Sequence, residues 1–325
     1  MIGGCAMGTG KILVLTHYLD EDNIRTIKDT AEKLGFSASF FTSYKEALPE
    51  VGEAEIIYSA DVRLPEHAKN VKWFCSSTAG VDKFLKAGIS PDVLFTNAAG
   101  AYGVTISEHI VMVALMMMRR TPEYLEGIRE KKWLRGLAQS SLYGSKILMI
   151  GTGDIGRTAA ERIRGFCPAE IVGVNRSGRE VKGFDRTYPV TELNALIPEA
   201  DVVICAVPGT SETEGIISAE RIGLMKPDSY LINVGRGSAV DVEALIAALD
   251  EGRIAGAALD VFPEEPIPED SPVWDAPNLL ITPHVAGNDT LPETRRRNVA
   301  MFCEDLENYA AGRPLAHSVD RKLGY

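Results

Sequence analysis

Arg236 in NVGRG, Glu265 in DVFPEEP and His284 in TPHVAG stand in that order along the chain, downstream of a glycine-rich GTGDIG at residues 151–156. A guanidinium can hold a carboxylate through two parallel hydrogen bonds and polarise a carbonyl oxygen as charge develops on it. An imidazole can deliver a proton to that oxygen near neutral pH. A carboxylate beside the imidazole favours its protonated form and fixes its tautomer. The three groups together suit hydride addition to a 2-oxo acid. Taken singly, each has an ordinary alternative: a surface Arg after a strand, a satisfied structural His, a solvated acidic loop. Arg236 follows the strand candidate YLINVG and His284 follows LLIT, and the carboxyl ends of strands are where open α/β sheets bind ligands. Gly235 and Gly237, flanking Arg236, are expected to leave room for close ligand approach.

The glycines gain weight from their setting. KILMI before them reads as a strand, and DIGRTAAERIRGF after them as a helix. In that context Gly151 permits a tight turn, Gly153 lets backbone approach a diphosphate, and Gly156 brings the helix close to the sheet. Thr152, Asp154 and Ile155 complete the loop, and the helix N-terminus offers N–H groups to phosphate. The next strand, EIVGVN, ends where an NAD site places Asp or Glu on the ribose hydroxyls; here stand Asn175, Arg176 and Ser177. With no carboxylate to repel a 2′-phosphate, and a guanidinium and a hydroxyl to receive one, NADP is favoured, with NAD as the alternative.

These residues need an α/β frame. KILVLT, SASFF, EIIYSA and VKWFCSS read as strands, with a helix from Asp20 to about Leu34, and imply a small parallel unit. SSTAG (76–80) closes the last of them in a turn whose N–H groups can face an anion. Residues 104–120 form an apolar helix candidate, interrupted by Glu108 and His109 and suited to burial in a core or an interface. From about Ser145, strands (KILMIG, AEIVGVN, DVVICAV, YLINVG, IAGAALDV, LLITPH) alternate with helices, the mark of a doubly wound sheet. Residues 290–311 turn helical and charged and can return to the first unit. The expected domains are residues 1–99 plus 289–325, and 100–288.

The 325 residues carry a net charge of −11, which argues against a nucleic-acid surface but leaves room for a locally basic pocket. Five cysteines (Cys5, Cys75, Cys167, Cys205, Cys303) without metal-ligand spacing fit reduced thiols, with Cys205 a core residue. The MIGGCAMGTGK start lacks a signal-peptide pattern, and VMVALMMM is too short to span a bilayer, so a cytoplasmic protein without membrane contact is expected. No metal is required by the chemistry.

GTGDIG, INVGRGSAVD, ALDVFPEEP and LLITPHVAG together resemble the D-isomer-specific 2-hydroxyacid dehydrogenases, over nearly the whole chain. That resemblance implies a Rossmann-type domain with a smaller flavodoxin-like substrate domain. It places the catalytic roles on Arg236, Glu265 (rather than Glu264) and His284. It implies substrate contacts from Ser77, Thr78, Ala79 and Gly80, with backbone donors at Ala79 and Gly80. Asp260 would contact the nicotinamide carboxamide, and Val207 and Pro208 would line the cofactor crevice. Tyr102 is a candidate pocket residue or a packing residue. The resemblance also implies a homodimer through the 104–120 helix. Glyoxylate, hydroxypyruvate, a branched 2-oxo acid and phosphohydroxypyruvate all remain open as substrates, with an NAD-dependent D-lactate or D-3-phosphoglycerate enzyme as one alternative. A nicotinamide-sensing corepressor-like protein is the alternative of another class.

Overall fold

The computed structural model describes residues 10–325; Cys5 and the N-terminal stretch around it lie outside the described residues. Two units emerge: the chain up to Tyr102 together with Asp289–Tyr325, and Gly103–Asn288.

In the smaller unit, β1 (Lys11–Leu15), β2 (Ser37–Phe41), β3 (Ile56–Ser59), β4 (Trp73–Ser76) and β5 (Leu94–Thr96) form one parallel sheet ordered β2-β1-β3-β4-β5. This is the flavodoxin-like order. β1, β3 and β4 are central and buried on both faces, which explains their near-continuous apolar runs. β5 has no counterpart among the sequence expectations. Helices α1 (Glu21–Lys33), α2 (Tyr44–Val51) and α3 (Asp82–Lys86) make the crossovers. α1 starts where the Asp20 carboxylate accepts the Asn23 N–H at 2.9 Å, and it buries Ile27 and Ala31.

The larger unit opens with α4 (Gly103–Met118), slightly offset from the expected 104–120, and α5 (Thr121–Arg129). Its strands are β6 (Lys146–Ile150), β7 (Glu170–Asn175), β8 (Arg186–Pro189), β9 (Val202–Cys205), β10 (Tyr230–Asn233), β11 (Gly256–Leu259) and β12 (Leu279–Ile281). Between them run α6 (Asp154–Ile163), α7 (Leu193–Leu196), α8 (Ala219–Gly223) and α9 (Val242–Asp250). All seven strands are parallel, in the order β12-β11-β10-β9-β6-β7-β8. This is the doubly wound Rossmann order with one added strand, and the winding reverses between β6 and β9. Cys205 is fully buried on β9, and burial pushes its thiol up to about 12.

The chain then rejoins the smaller unit as α10 (Pro292–Ala310). There Phe302 stacks on Tyr58 and Trp73 at centroid distances of 4.6 and 5.3 Å. Among the described residues, no helix is long and apolar enough to cross a membrane.

Candidate active site

The order β12-β11-β10 sets three carboxyl ends side by side, with neighbouring strands about 4.8 Å apart. Arg236 lies just past β10, Glu265 in the loop after β11, and His284 just past β12. His284 Nδ1 is 2.8 Å from Glu265 Oε2. A carboxylate accepts, so Nδ1 carries the hydrogen of that bond and Nε2 is left for a ligand. The other oxygen, Glu265 Oε1, accepts the Phe262 N–H at 3.0 Å, which anchors the carboxylate to its own loop. Glu265, and not its neighbour Glu264, makes the pair. The His284 side chain is 51% exposed, and its backbone is left-handed at φ 53°.

Arg236 is half-buried, and its Nη1 donates to the Gly235 carbonyl at 2.8 Å. The glycines beside it do something other than admit a ligand. A Cβ on Gly235 would stand 2.6 Å from the Val207 carbonyl oxygen, and one on Gly237 only 1.9 Å from the Phe262 carbonyl carbon. Both positions are glycine because neighbouring strand ends press against them. That corrects the expectation of room for ligand approach.

Asp260 is 2% exposed. Its Oδ1 accepts from Thr282 Oγ1 at 2.6 Å and from the Val285 N–H at 2.9 Å, and its Oδ2 from the Ala286 N–H at 3.0 Å. Most of its acceptor capacity is therefore spent on the loop that carries His284.

In the smaller unit the SSTAG turn is held by its carbonyls. The Ser77 carbonyl accepts from Tyr102 Oη at 2.7 Å and Asn298 Nδ2 at 2.5 Å. The Thr78 carbonyl accepts the Ala98 N–H at 3.1 Å, the Ala79 carbonyl Asn97 Nδ2 at 2.8 Å, and the Gly80 carbonyl Thr78 Oγ1 at 2.9 Å. Among the described residues the N–H groups of Ala79 and Gly80 have no partner in the protein. The turn thus presents donors on one side and is fixed from the other. Tyr102 is buried, with its hydroxyl committed to Ser77 and to Asp289 Oδ1 at 2.9 Å, and burial raises the Asp289 carboxyl above its usual range. Tyr102 supports the turn from behind, as the packing alternative expected of it.

The glycine loop divides its tasks. Gly151, at φ 101°, would bring a Cβ to 2.4 Å of the Ala206 carbonyl oxygen, and Gly156 to 2.0 Å of the Gly151 carbonyl oxygen, so both are packing positions. Among the described residues, Gly153 has nothing within 4 Å of a Cβ, and no side chain caps the N-terminus of α6 there. Open space in front of uncapped helix N–H groups fits a dinucleotide diphosphate. Thr152 is buried, and Asp154 turns its Oδ2 to the Gly103 N–H at 2.8 Å, tying α4 to α6. Val207 is 7% exposed, and the Pro208 carbonyl accepts from Thr213 Oγ1 at 2.6 Å.

At the end of β7, Asn175 bonds to Thr152 Oγ1 and to the Arg179 carbonyl, and it accepts the Ser177 N–H. Arg176 Nε lies 3.0 Å from Glu212 Oε2, a carboxylate delivered by the loop after β9. The expectation of a corner without a carboxylate is corrected: one arrives from 36 residues downstream (212 − 176), where local sequence carried no signal of it.

The family model described as "D-isomer specific 2-hydroxyacid dehydrogenase, NAD binding domain" matches residues 111–286. A glyoxylate reductase of Thermofilum pendens is 32% identical over 76% of this chain and 74% of its own length. The chain belongs to the D-isomer-specific 2-hydroxyacid dehydrogenase family. A family member of solved structure from Aeromonas salmonicida superposes with a TM-score of 0.85 at 33% identity, covering 97% of this chain and 100% of the other. An NADPH-dependent glyoxylate/hydroxypyruvate reductase of Sinorhizobium meliloti, solved with NADP and sulfate, gives 0.83 at 25% identity, covering 97% and 100%. As a D-2-hydroxyacid dehydrogenase, the protein is an NAD(P)-dependent oxidoreductase.

Within this family member, four residues were not foreseen from sequence as parts of the site: Glu212, Asn298, His109 and Thr282. Each acts on a group at least 22 residues away in sequence, and of the four only Thr282 stands in a motif quoted above, LLITPHVAG. Asn298 is the least concealed, being a polar residue 6% exposed on the buried face of α10.

Proposed function

We propose that this dehydrogenase reduces a small 2-oxo acid of the glyoxylate or hydroxypyruvate kind to the D-2-hydroxy acid, with NADPH. The observation that carries the proposal is the His284–Glu265 pair at 2.8 Å, beside the strand end that bears Arg236. When bound, a reduced nicotinamide supplies the hydride. Arg236 holds the substrate carboxylate and polarises the carbonyl oxygen on which charge develops. In the smaller unit, the Ala79 and Gly80 N–H groups are donors suited to a carboxylate. His284 Nε2 delivers the proton to that oxygen while Glu265 keeps the ring oriented through Nδ1. In the reverse direction neutral His284 takes the hydroxyl proton. Gly153 and the α6 N-terminus would hold the diphosphate, and Asp260 Oδ2 has acceptor capacity left for a carboxamide.

Arg176 and Ser177 support the choice of NADP, as do the names of relatives that use NADPH. The Arg176–Glu212 pair supports a second reading, NAD, because it sets a carboxylate where a 2′-phosphate would compete for the same guanidinium. A homodimer is also part of the proposal. Met112 on α4, Ile128 on α5 and Trp133 just beyond are 45%, 66% and 84% exposed, an apolar surface a second copy would cover. A cytoplasmic setting fits the unpaired thiols.

The test is a panel of 2-oxo acids with NADPH and NADH, following loss of reduced-nicotinamide absorbance, with mass measurement in solution alongside. Turnover of glyoxylate or hydroxypyruvate with NADPH ahead of NADH is expected. Turnover of neither acid would sink the substrate proposal, NADH preference would select the second reading, and a monomeric mass would remove the dimer.

A further inference from the structure

Beneath His284 runs a hydrogen-bonded chain, two members of which, His109 and Thr282, have no part in the proposed reaction. His109 on α4 is nearly buried, with Nε2 3.2 Å from Thr282 Oγ1. Thr282 Oγ1 is in turn 2.6 Å from Asp260 Oδ1. The Asp260 carboxylate takes two backbone N–H donors and acts as an acceptor, so the single Thr282 hydroxyl hydrogen points to Asp260. Thr282 Oγ1 is then the acceptor toward His109, which fixes His109 as the Nε2–H tautomer. Burial holds the His109 imidazole below the usual histidine range, and the nearby Asp260 opposes this only in part, so the ring is neutral.

The far end of the chain is the backbone around His284. Asp260 binds the N–H groups of Val285 and Ala286 through its carboxylate and that of His284, at 2.8 Å, through its carbonyl. These three bonds enclose a non-glycine residue in the left-handed region, a conformation that persists only where surroundings over-determine it. Without them the turn would relax and carry the imidazole away from its place.

We propose that His109 is a positioning residue for the reaction, orienting Thr282 and Asp260 so that their bonds hold the His284 turn in its working conformation. The inference rests on His284 as the proton donor.

The experiment uses the full-length protein with NADPH and glyoxylate, in His109→Leu, His109→Gln, Thr282→Val, Thr282→Ser and His284→Ala. Measured are kcat, the NADPH dissociation constant, and amide hydrogen exchange at Val285 and Ala286. His109→Leu and Thr282→Val are expected to lose about 10- to 100-fold in kcat, the scale of a slightly misplaced group. Exchange at Val285 and Ala286 should quicken in both while NADPH binding holds. Thr282→Ser and His109→Gln keep a hydroxyl and an N–H donor, and should retain most activity and slow exchange. Wild-type kcat in Thr282→Val would overturn the inference, as would a kcat loss with unaltered exchange or an equal loss in Thr282→Ser. Thr282→Val also covers the case in which His109→Leu fails to fold. Near-normal turnover in His284→Ala would instead overturn the proton-donor reading; a dead His284→Ala with an unaffected Thr282→Val would overturn the inference alone.

Discussion

Both units carry their polar functional groups at the carboxyl ends of a parallel sheet, but they build them from opposite materials. In the larger unit the proposed chemistry is in side chains: a guanidinium, a carboxylate and an imidazole at three adjacent strand ends. In the smaller unit it is in the backbone, where SSTAG offers two N–H groups and the side chains around it only hold carbonyls from behind. Side-chain chemistry is specific and fragile, since one substitution removes a proton donor. Backbone donors survive any single substitution in the turn other than proline, but their aim depends on buried partners far away in sequence. The two units should therefore fail differently when damaged.

The largest effect belongs to the side-chain half. His284→Ala should lower kcat for carbonyl reduction by about 10²- to 10⁴-fold, the range for a lost general acid. With a half-exposed side chain removed, the thermal midpoint should hardly move. Near-normal turnover would mean that proton delivery does not run through this imidazole.

Next comes the other half of the same sheet, past the end of β7. Arg176→Ala should weaken NADPH by about 10- to 150-fold, the worth of a charge-assisted hydrogen bond, with little change for NADH. Glu212→Gln should act in the opposite direction and more weakly, by about two- to fivefold in favour of NADPH, because an exposed ion pair competes only modestly. Titrations of both cofactors into both variants decide this. Equal effects on NADPH and NADH would show Arg176 to be a loop cation.

A smaller effect tests the backbone half. Tyr102→Phe removes one of two donors to the Ser77 carbonyl and leaves Asn298 in place. At about 0.5–1.5 kcal/mol for one hydrogen bond, KM for the 2-oxo acid should rise about two- to twelvefold with kcat almost unchanged. A fall in kcat with constant KM would place Tyr102 in the chemistry and erase the contrast between the units.

The same contrast governs what sequence could disclose. The alternation of apolar runs and amphipathic helices made both sheets legible, apart from β5 and β8, whose LFT and RTYP were not singled out; RTYP lacks the apolar run of a buried strand. The positions of Arg236, Glu265 and His284 past three strand ends, and the Glu265–His284 pair, were legible because residue types suited to the proposed chemistry each follow a strand. Gly235 and Gly237 were visible but misread, since a glycine that admits a ligand and one that admits a neighbouring strand look alike in sequence. Tyr102 was left open between two roles for a related reason: an aromatic with a hydroxyl fits a pocket or a buried bond equally well. Glu212, His109 and Asn298 were hidden because their meaning lies in a partner 36 to 221 residues away.

The smallest effect concerns how the backbone half is buttressed. His317 near the C-terminus bonds through Nδ1 to the buried Asp305 carboxylate at 3.0 Å, and its carbonyl accepts the Asn97 N–H. Asn97 in turn holds the Ala79 carbonyl, so the pair sits two steps behind the proposed donors. The Asp305 hydrogen bond raises the His317 pKa above its ordinary value, outweighing burial. A raised folded-state pKa means that the protonated form is favoured on folding. Its contribution to stability is complete below the unfolded value of about 6.5 and is lost as pH rises through the higher folded value. Over that window the thermal midpoint of the wild type should fall relative to His317→Asn, whose side chain does not titrate. Calorimetry of both proteins in steps from pH 5.5 to 8.5, at constant ionic strength, measures the difference. Parallel midpoints across the series would show that the pair contributes no proton-linked stability. Divergence together with a rise in KM for the 2-oxo acid, in the wild type only, would show that the aim of the Ala79 and Gly80 donors depends on this distant imidazole.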